Sequence, residues 1–447
     1  MESSREKMNL KTFNLAYLVI FIVISFSFFT INSNIISADE NIVEDIRFTS
    51  MIPEGIQFAI DVSDVSLIED IQVKFKIDGR KTFQYEYVEI PEDLSLLTLT
   101  YFFSTSKSDR YIPPGSFITY YFELFFKDGT KFRTEQKKDV ILDSRFEWNK
   151  VAGEVVNVYF HGPVGRRANK LLEACEKTVT QMSILLGVTE KKPISVIMYN
   201  NYSEMFDVVV KKSETQAGSL ITEGQAFATE NVVLVDGGSR SALGVSTHEI
   251  THVIVARASE DSYLGVPLWL NEGLAELANI EQDAGYDRYL EWAIDTGRIL
   301  PFSSLNRFPG NPNLTLVAYG QSKSFVEFLI NEFPVGSMSK LMQNISEKKS
   351  INDSFKDTYG KDLNEIENLW RKKLGIVLVL SEDTKESPEE NLQGQVVDSL
   401  NEEDDSPLSR SNGSCGGSTM GFEFYSFGVL LLAFFVKRVY FNRRKRN

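Results

Sequence analysis

Residues 246–255 read STHEITHVIV, and the fold turns on how this stretch is read. The chain has 447 residues and three histidines, and two of them, His248 and His252, stand here four positions apart with Glu249 between them. On a helix, residues four apart lie about one turn apart on the same side, so two imidazoles can reach one metal ion. Glu249 precedes His252 by three positions, and its carboxylate can reach a metal-bound water rather than the metal. By ordinary residue frequencies, H-E-x-x-H arises by chance in on the order of one chain in a hundred of this length. The flanking Leu243, Val245, Ile250, Val253, Ile254 and Ala256 make the segment an apolar helix. Burying two imidazoles and a carboxylate there without partners costs several kcal/mol, and a metal removes that cost.

A catalytic zinc site needs a third protein ligand and an open position. Downstream, VPLWLNEGLAELAN (266–279) starts a second helix after Pro267, with Glu272 and Glu276 one turn apart. Nineteen residues lie between His252 and Glu272, room for a loop and a helix that folds back on the first. Glu272 is assigned as the third ligand. Glu276 then stands behind the site, where it can accept the remaining N–H of a ligating histidine.

Outward from this site, residues 155–375 read as an α+β domain. VNVYF and PISVIMY are strands, and GRRANKLLEACEKTVTQMSILLG (165–187) between them carries Ala168, Leu171, Cys175, Val179 and Met182 at helical spacing. NVVLVDGG (231–238) is a further strand, read as the edge against which an extended peptide could pair. After Ser241 the chain reads as mostly helical to about Leu374. Cys175 falls on the apolar stripe as a small buried thiol. His161, just after a strand, is read as a turn-capping or surface residue.

Residues 41–145 have a different texture. IQVKFKI (71–77) alternates strictly, and ITYYFELFFKDGTKFRTE holds two β-rich runs around Lys127-Asp128-Gly129, a hairpin signal. Several short strands without a helical segment suggest an immunoglobulin- or fibronectin-like sandwich, with a spacing or binding role.

The ends concern location. Arg5, Lys7 and Lys11 precede an uncharged run from Thr12 to Ala38, which reads as a secretory signal cleaved after Ala38 or as an uncleaved anchor helix. Between Glu382 and Asp405 stand ten acidic residues and one lysine, the composition of a solvated linker. The last segment joins Cys415-Gly416-Gly417, an apolar stretch from Phe422 to Val436 and the basic Arg443, Arg444, Lys445 and Arg446. That layout resembles a bacterial C-terminal sorting signal of the Gly-Gly type; a plain membrane anchor is the other reading. The expected division is 1–38 signal peptide, 41–148 β-sandwich, 150–378 peptidase domain, 381–414 acidic linker and 415–447 sorting signal or anchor. A net charge of −15 argues against nucleic acid as a partner.

H-E-x-x-H followed by W-L-N-E-G resembles the gluzincin metallopeptidases, the peptidase MA group that includes thermolysin and the aminopeptidase N family. AYGQSKSFVEFLINEF (318–333) and LNEIENLWRKKL (363–374) are similar to helices that follow the site in small bacterial proteins of that group. The resemblance implies a zincin-type fold over about 155–375, His248, His252 and Glu272 as zinc ligands, and Glu249 as general base on a zinc-activated water. It implies Tyr319 as the donor to the oxyanion, with Tyr263, nine residues before Glu272, as rival. Peptide or protein is the implied substrate. The aminopeptidase word G-A-M-E-N is missing, and GQAFATEN (224–231) echoes it only faintly, so recognition of a free amino end has no support. The competing reading is a non-catalytic surface protein that keeps the peptidase fold to bind a partner.

Overall fold

The computed structural model describes residues 42–91, 97–209, 223–281 and 284–376. The expected signal peptide, acidic linker and C-terminal segment lie outside these residues. Among the described residues no helix is long and apolar enough to cross a membrane.

The chain is built of an N-terminal β-sheet region and a C-terminal region rich in helices. The first region holds β1 (Val43–Met51), β2 (Gly55–Val62), β3 (Ile68–Ile77), β4 (Gln84–Val88), β5 (Thr98–Ser104), β6 (Phe117–Phe126), β7 (Lys131–Arg133) and β8 (Lys137–Val140). They form two antiparallel sheets, one ordered β1-β2-β5 and the other β4-β3-β6-β7, with β8 also pairing with β6. The hairpin read at Lys127-Asp128-Gly129 joins β6 to β7, and Gly129 takes the positive φ that such a turn needs. Inward residues of both sheets, Phe58, Ile60, Phe75, Phe103, Tyr120 and Phe122 among them, share one core.

A mixed sheet follows, ordered β12-β13-β11-β10-β9. Its strands are β9 (Trp148–Ala152), β10 (Val156–His161), β11 (Ile194–Tyr199), β12 (Gly224–Phe227) and β13 (Val232–Asp236). The three central strands, β10, β11 and β13, run parallel, while β9 and β12 are antiparallel to their neighbours. The helix read over 165–187 is α1 (Gly165–Leu186), and it closes on Gly187 in the left-handed conformation. Then come α2 (Tyr202–Phe206), α3 (Ala242–Ser259), α4 (Leu268–Ala278), α5 (Ala284–Asp295), α6 (Pro312–Glu332), α7 (Ser337–Ser346), α8 (Ile351–Tyr359) and α9 (Leu363–Lys373).

Both faces of the mixed sheet are covered. Val158, Val196, Met198, Val233 and Val235 face the helices, while Tyr159, Ile197, Tyr199, Val232 and Leu234 join the core of the N-terminal sheets. This explains why β10, β11 and β13 read as continuous apolar runs. It also corrects the edge reading. Val232–Asp236 is interior, flanked by β12 and β11, and the edge strand is Gly224–Phe227. His161 is also not a surface residue. It ends β10 in a buried position, stacked on Phe146 at 4.0 Å, with Nε2 2.9 Å from a Glu204 oxygen.

Candidate metal centre

Every residue from Ser246 to Val255 is buried. The reason is that α3 is enclosed: β12 and β13 lie on one side, and α1, α4 and α7 on the others. A helix so placed has no solvent face, so its polar side chains must meet partners inside the protein.

His248 and His252 point at each other, with their Nε2 atoms 3.2 Å apart. Glu272, on α4, places Oε2 3.5 Å from His248 Nε2 and 3.9 Å from His252 Nε2. These three form a cluster able to hold a metal ion, and all are buried. Tetrahedral ligands at about 2.0–2.1 Å from zinc stand about 3.4 Å from one another, and the three separations bracket that value.

Hydrogen-bonding chemistry says the same. His252 Nδ1 lies 2.9 Å from Asn271 Oδ1, an acceptor, so Nδ1 carries the proton and Nε2 presents a lone pair. His248 Nδ1 lies 3.0 Å from Glu276 Oε1, close though poorly aligned for a hydrogen bond, and this carboxylate likewise favours the proton on Nδ1. Two lone pairs then face each other beside Glu272 Oε2, a buried oxygen with no hydrogen-bond donor. That arrangement is repulsive unless a proton or a metal cation lies between the three atoms. Burial opposes charge on His248, but the Glu276, Glu272 and Glu249 carboxylates outweigh it and raise its pKa well above the ordinary value. The same negative field suits a metal cation.

Glu249 is buried on α3 beside the edge strand, and its carboxylate accepts the backbone N–H of Ala226 in β12. The strand approaches closely because of Gly224. A Cβ there would come 2.4 Å from Val245 Cγ1 and 2.9 Å from Glu249 Cγ. Burial raises the pKa of Glu249; the neighbouring imidazoles act in the opposite sense.

The two tyrosines are placed differently. Tyr319, on α6, is buried against Tyr286 and Phe308, at 5.6 and 4.8 Å between ring centroids. Burial, then the charges of Glu272, Glu276 and Glu249 together with Tyr286, raises its pKa well above the usual value, which keeps it a neutral donor. The Tyr263 hydroxyl instead accepts from Asn271 Nδ2 at 3.1 Å, so it touches the site through the residue that orients His252. His248, His252 and Glu272 therefore converge, with Glu276 and Glu249 beside them, while Cys175 and His161 are not part of the cluster. The sequence reading missed Asn271 and the Ala226 N–H. Asn271 was visible as the N of W-L-N-E-G, but only the fold shows which histidine it meets.

Comparison with known proteins finds a similarity over part of the chain. Residues 174–375 match the family model described as Peptidase MA superfamily, so the gluzincin-like resemblance read from the motifs holds over that segment. The uncharacterized protein YhcO of Bacillus subtilis is 24% identical over 213 residues, which are 45% of this chain and 64% of that protein. This chain thus spans less than two thirds of that relative. An M1 zinc metallopeptidase from Deinococcus radiodurans aligns over 76% of this chain and 95% of its own, at 14% identity and a TM-score of 0.32. A mutant of that enzyme bound to a Tyr-Ser-Ala substrate aligns over the same shares at 12% identity and 0.34. TM-scores this low lend no support to a function.

Proposed function

We propose that the chain is an exported, membrane-tethered zinc metallopeptidase that hydrolyses peptide bonds in peptides or proteins. One observation carries this reading: His248, His252 and Glu272 bring three ligand atoms within 3.2–3.9 Å of one another, fully buried. When bound there, zinc supplies Lewis-acid activation of water and of the scissile carbonyl. Asn271 and Glu276 hold the imidazoles with Nε2 toward the centre. Glu249 takes a proton from the attacking water and later passes it to the leaving nitrogen. Tyr319 donates its hydroxyl to the oxygen on which charge develops, with Tyr263 as the alternative donor. The outer edge of β12, next to Glu249, is where an extended peptide would add as a strand.

Sequence features support the rest. The basic and apolar beginning at Arg5–Ala38 supports export. The Phe422–Val436 stretch with its arginine-rich end supports tethering at the cell surface or the extracytoplasmic side of a membrane. The division at 1–38, 41–148, 150–378, 381–414 and 415–447 stands as part of this proposal. So does an immunoglobulin- or fibronectin-like description of the N-terminal sheets.

The test is direct. Purified protein should contain one zinc per chain by elemental analysis and should cleave an unstructured protein such as casein. Glu249→Gln should keep the zinc and lose about 10²–10⁴ of the rate. Zinc without any Glu249-dependent turnover refutes the enzyme. Absence of zinc refutes the ligand assignment.

A further inference from the structure

The outward face of the sheet β4-β3-β6-β7 plays no part in the metal centre, and we infer that it is a docking surface for an anionic polysaccharide. Phe83, Tyr85 and Tyr87 occupy alternate positions along the edge strand β4 and its approach, so pleating turns all three to one side. They are 41%, 60% and 56% exposed. Single exposed rings are ordinary on a protein surface, but three in a row on one side of one strand make a continuous apolar strip. The strip continues inward. Lys74 stands opposite Tyr85 on one side and Tyr121 on the other, and the Phe83 ring meets Tyr121 edge-on at 5.6 Å.

Cations are interleaved with these rings. Lys76 lies 6.0 Å from the Phe83 centroid, and the Arg133 guanidinium lies 3.9 Å above Tyr121. Lys74 is paired with Glu123 and Lys138 with Asp78. Among the described residues, Lys76, Lys131 and Arg133 have no ion-pair partner. This is a positive patch on a chain whose net charge is −15.

The partner that fits such a face has flat apolar surfaces with anionic groups between them. Sugar rings lay their C–H faces on tyrosine and phenylalanine, and tyrosine hydroxyls bond to sugar hydroxyls. Carboxylates or phosphates along the polymer meet lysine and arginine. An anionic lipid surface shares the charge. However, two of the three exposed rings are tyrosines, whose hydroxyls match the hydroxyls of a sugar polymer rather than an acyl layer.

The experiment is affinity electrophoresis of the full chain in native gels containing polygalacturonate or neutral dextran. Vesicles of phosphatidylcholine with phosphatidylglycerol serve as a third arm. Polygalacturonate should retard the protein in a salt-sensitive way, and dextran should not. Tyr85→Ala/Tyr87→Ala should weaken retardation about tenfold in Kd, and so should Lys76→Gln/Arg133→Gln. Zinc content and unfolding temperature should stay at wild-type values in both variants. The proposal is overturned by no retardation in polygalacturonate, by equal retardation in dextran, or by an unchanged Kd in both variants. It is also overturned if vesicles bind where the polymer does not, which would assign the face to a membrane.

Discussion

Asn271 does two jobs with one amide. Its Oδ1 accepts from His252 Nδ1 at 2.9 Å, and its Nδ2 donates to the Tyr263 hydroxyl at 3.1 Å. Removing it frees the His252 ring to rotate and to change tautomer. Asn271→Ala should therefore weaken zinc binding about 10–100-fold, read by competition with a chromophoric chelator, while the fold persists. The tyrosines separate by a different measurement. Tyr319 stands in the field of Glu272 and Glu249, whereas Tyr263 is tied to Asn271. If Tyr319 is the oxyanion donor, Tyr319→Phe should lower kcat about 10²–10³-fold with zinc content unchanged. Tyr263→Phe should then act chiefly on zinc affinity; the reverse pattern would exchange the two roles. At this scale the candidate ligand cluster was legible helix by helix, because helical spacing sets His248, Glu249 and His252 on one side of α3 and Glu272 and Glu276 on one side of α4. The groups that orient them were not legible. Asn271 meets His252 and Ala226 meets Glu249 only through packing between elements.

At the scale of elements, the geometry depends on how closely α4 lies on α6. Gly273, within W-L-N-E-G, makes that approach possible: a Cβ would stand 2.5 Å from the Ser322 carbonyl oxygen and 2.7 Å from Val326 Cγ2. Backbone cannot yield as a side chain does, so Gly273→Ala must push α4 away from α6 and carry Glu272 and Glu276 with it. Alanine gains about 1 kcal/mol of helix propensity, but forcing a methyl into a packed contact costs about 1–3 kcal/mol, so destabilisation wins. The expected result is an unfolding temperature lower by a few degrees and weaker zinc binding, measured by calorimetry with and without chelator. Gly265→Ala, with nothing within 4 Å of the new methyl, serves as the neutral control. Elements were legible where one face was apolar at a clear period, as in α1 and β3. Edge and centre were not. VVLVD reads alike in both places, and β12 became the edge because the Ala228–Asn231 turn folds it back antiparallel on β13.

Across the whole molecule, the N-terminal sheets are less a spacer than the second half of a shared core. Gly115, in a turn formed by Pro113-Pro114-Gly115, packs so tightly on the mixed sheet that a Cβ would meet the Ile197 side chain at 2.8 Å. Gly79 lies against Thr229 in the turn between β12 and β13, where Arg80 Nε also bonds Glu230 at 2.9 Å. The N-terminal region thus grips the hairpin whose Ala226 N–H holds Glu249. The sequence suggested both regions from their textures, but the side of a fully apolar strand that faces a neighbouring region has no signature of its own. The energetic consequence is large. Deleting the N-terminal sheets would expose Tyr159, Ile197, Tyr199, Phe227 and Leu234, all buried in the common core. At roughly 1.5–3 kcal/mol for each side chain, the loss is about 10 kcal/mol, comparable to the entire stability of an ordinary protein. Residues 150–376 expressed alone should therefore be insoluble or molten, with weak near-ultraviolet dichroism and no zinc retention. The intact protein should unfold in one calorimetric transition, with calorimetric and van't Hoff enthalpies agreeing. Two resolved transitions, or a soluble zinc-binding fragment 150–376, would show instead that the two regions fold independently and that the grip on the β12–β13 hairpin is dispensable.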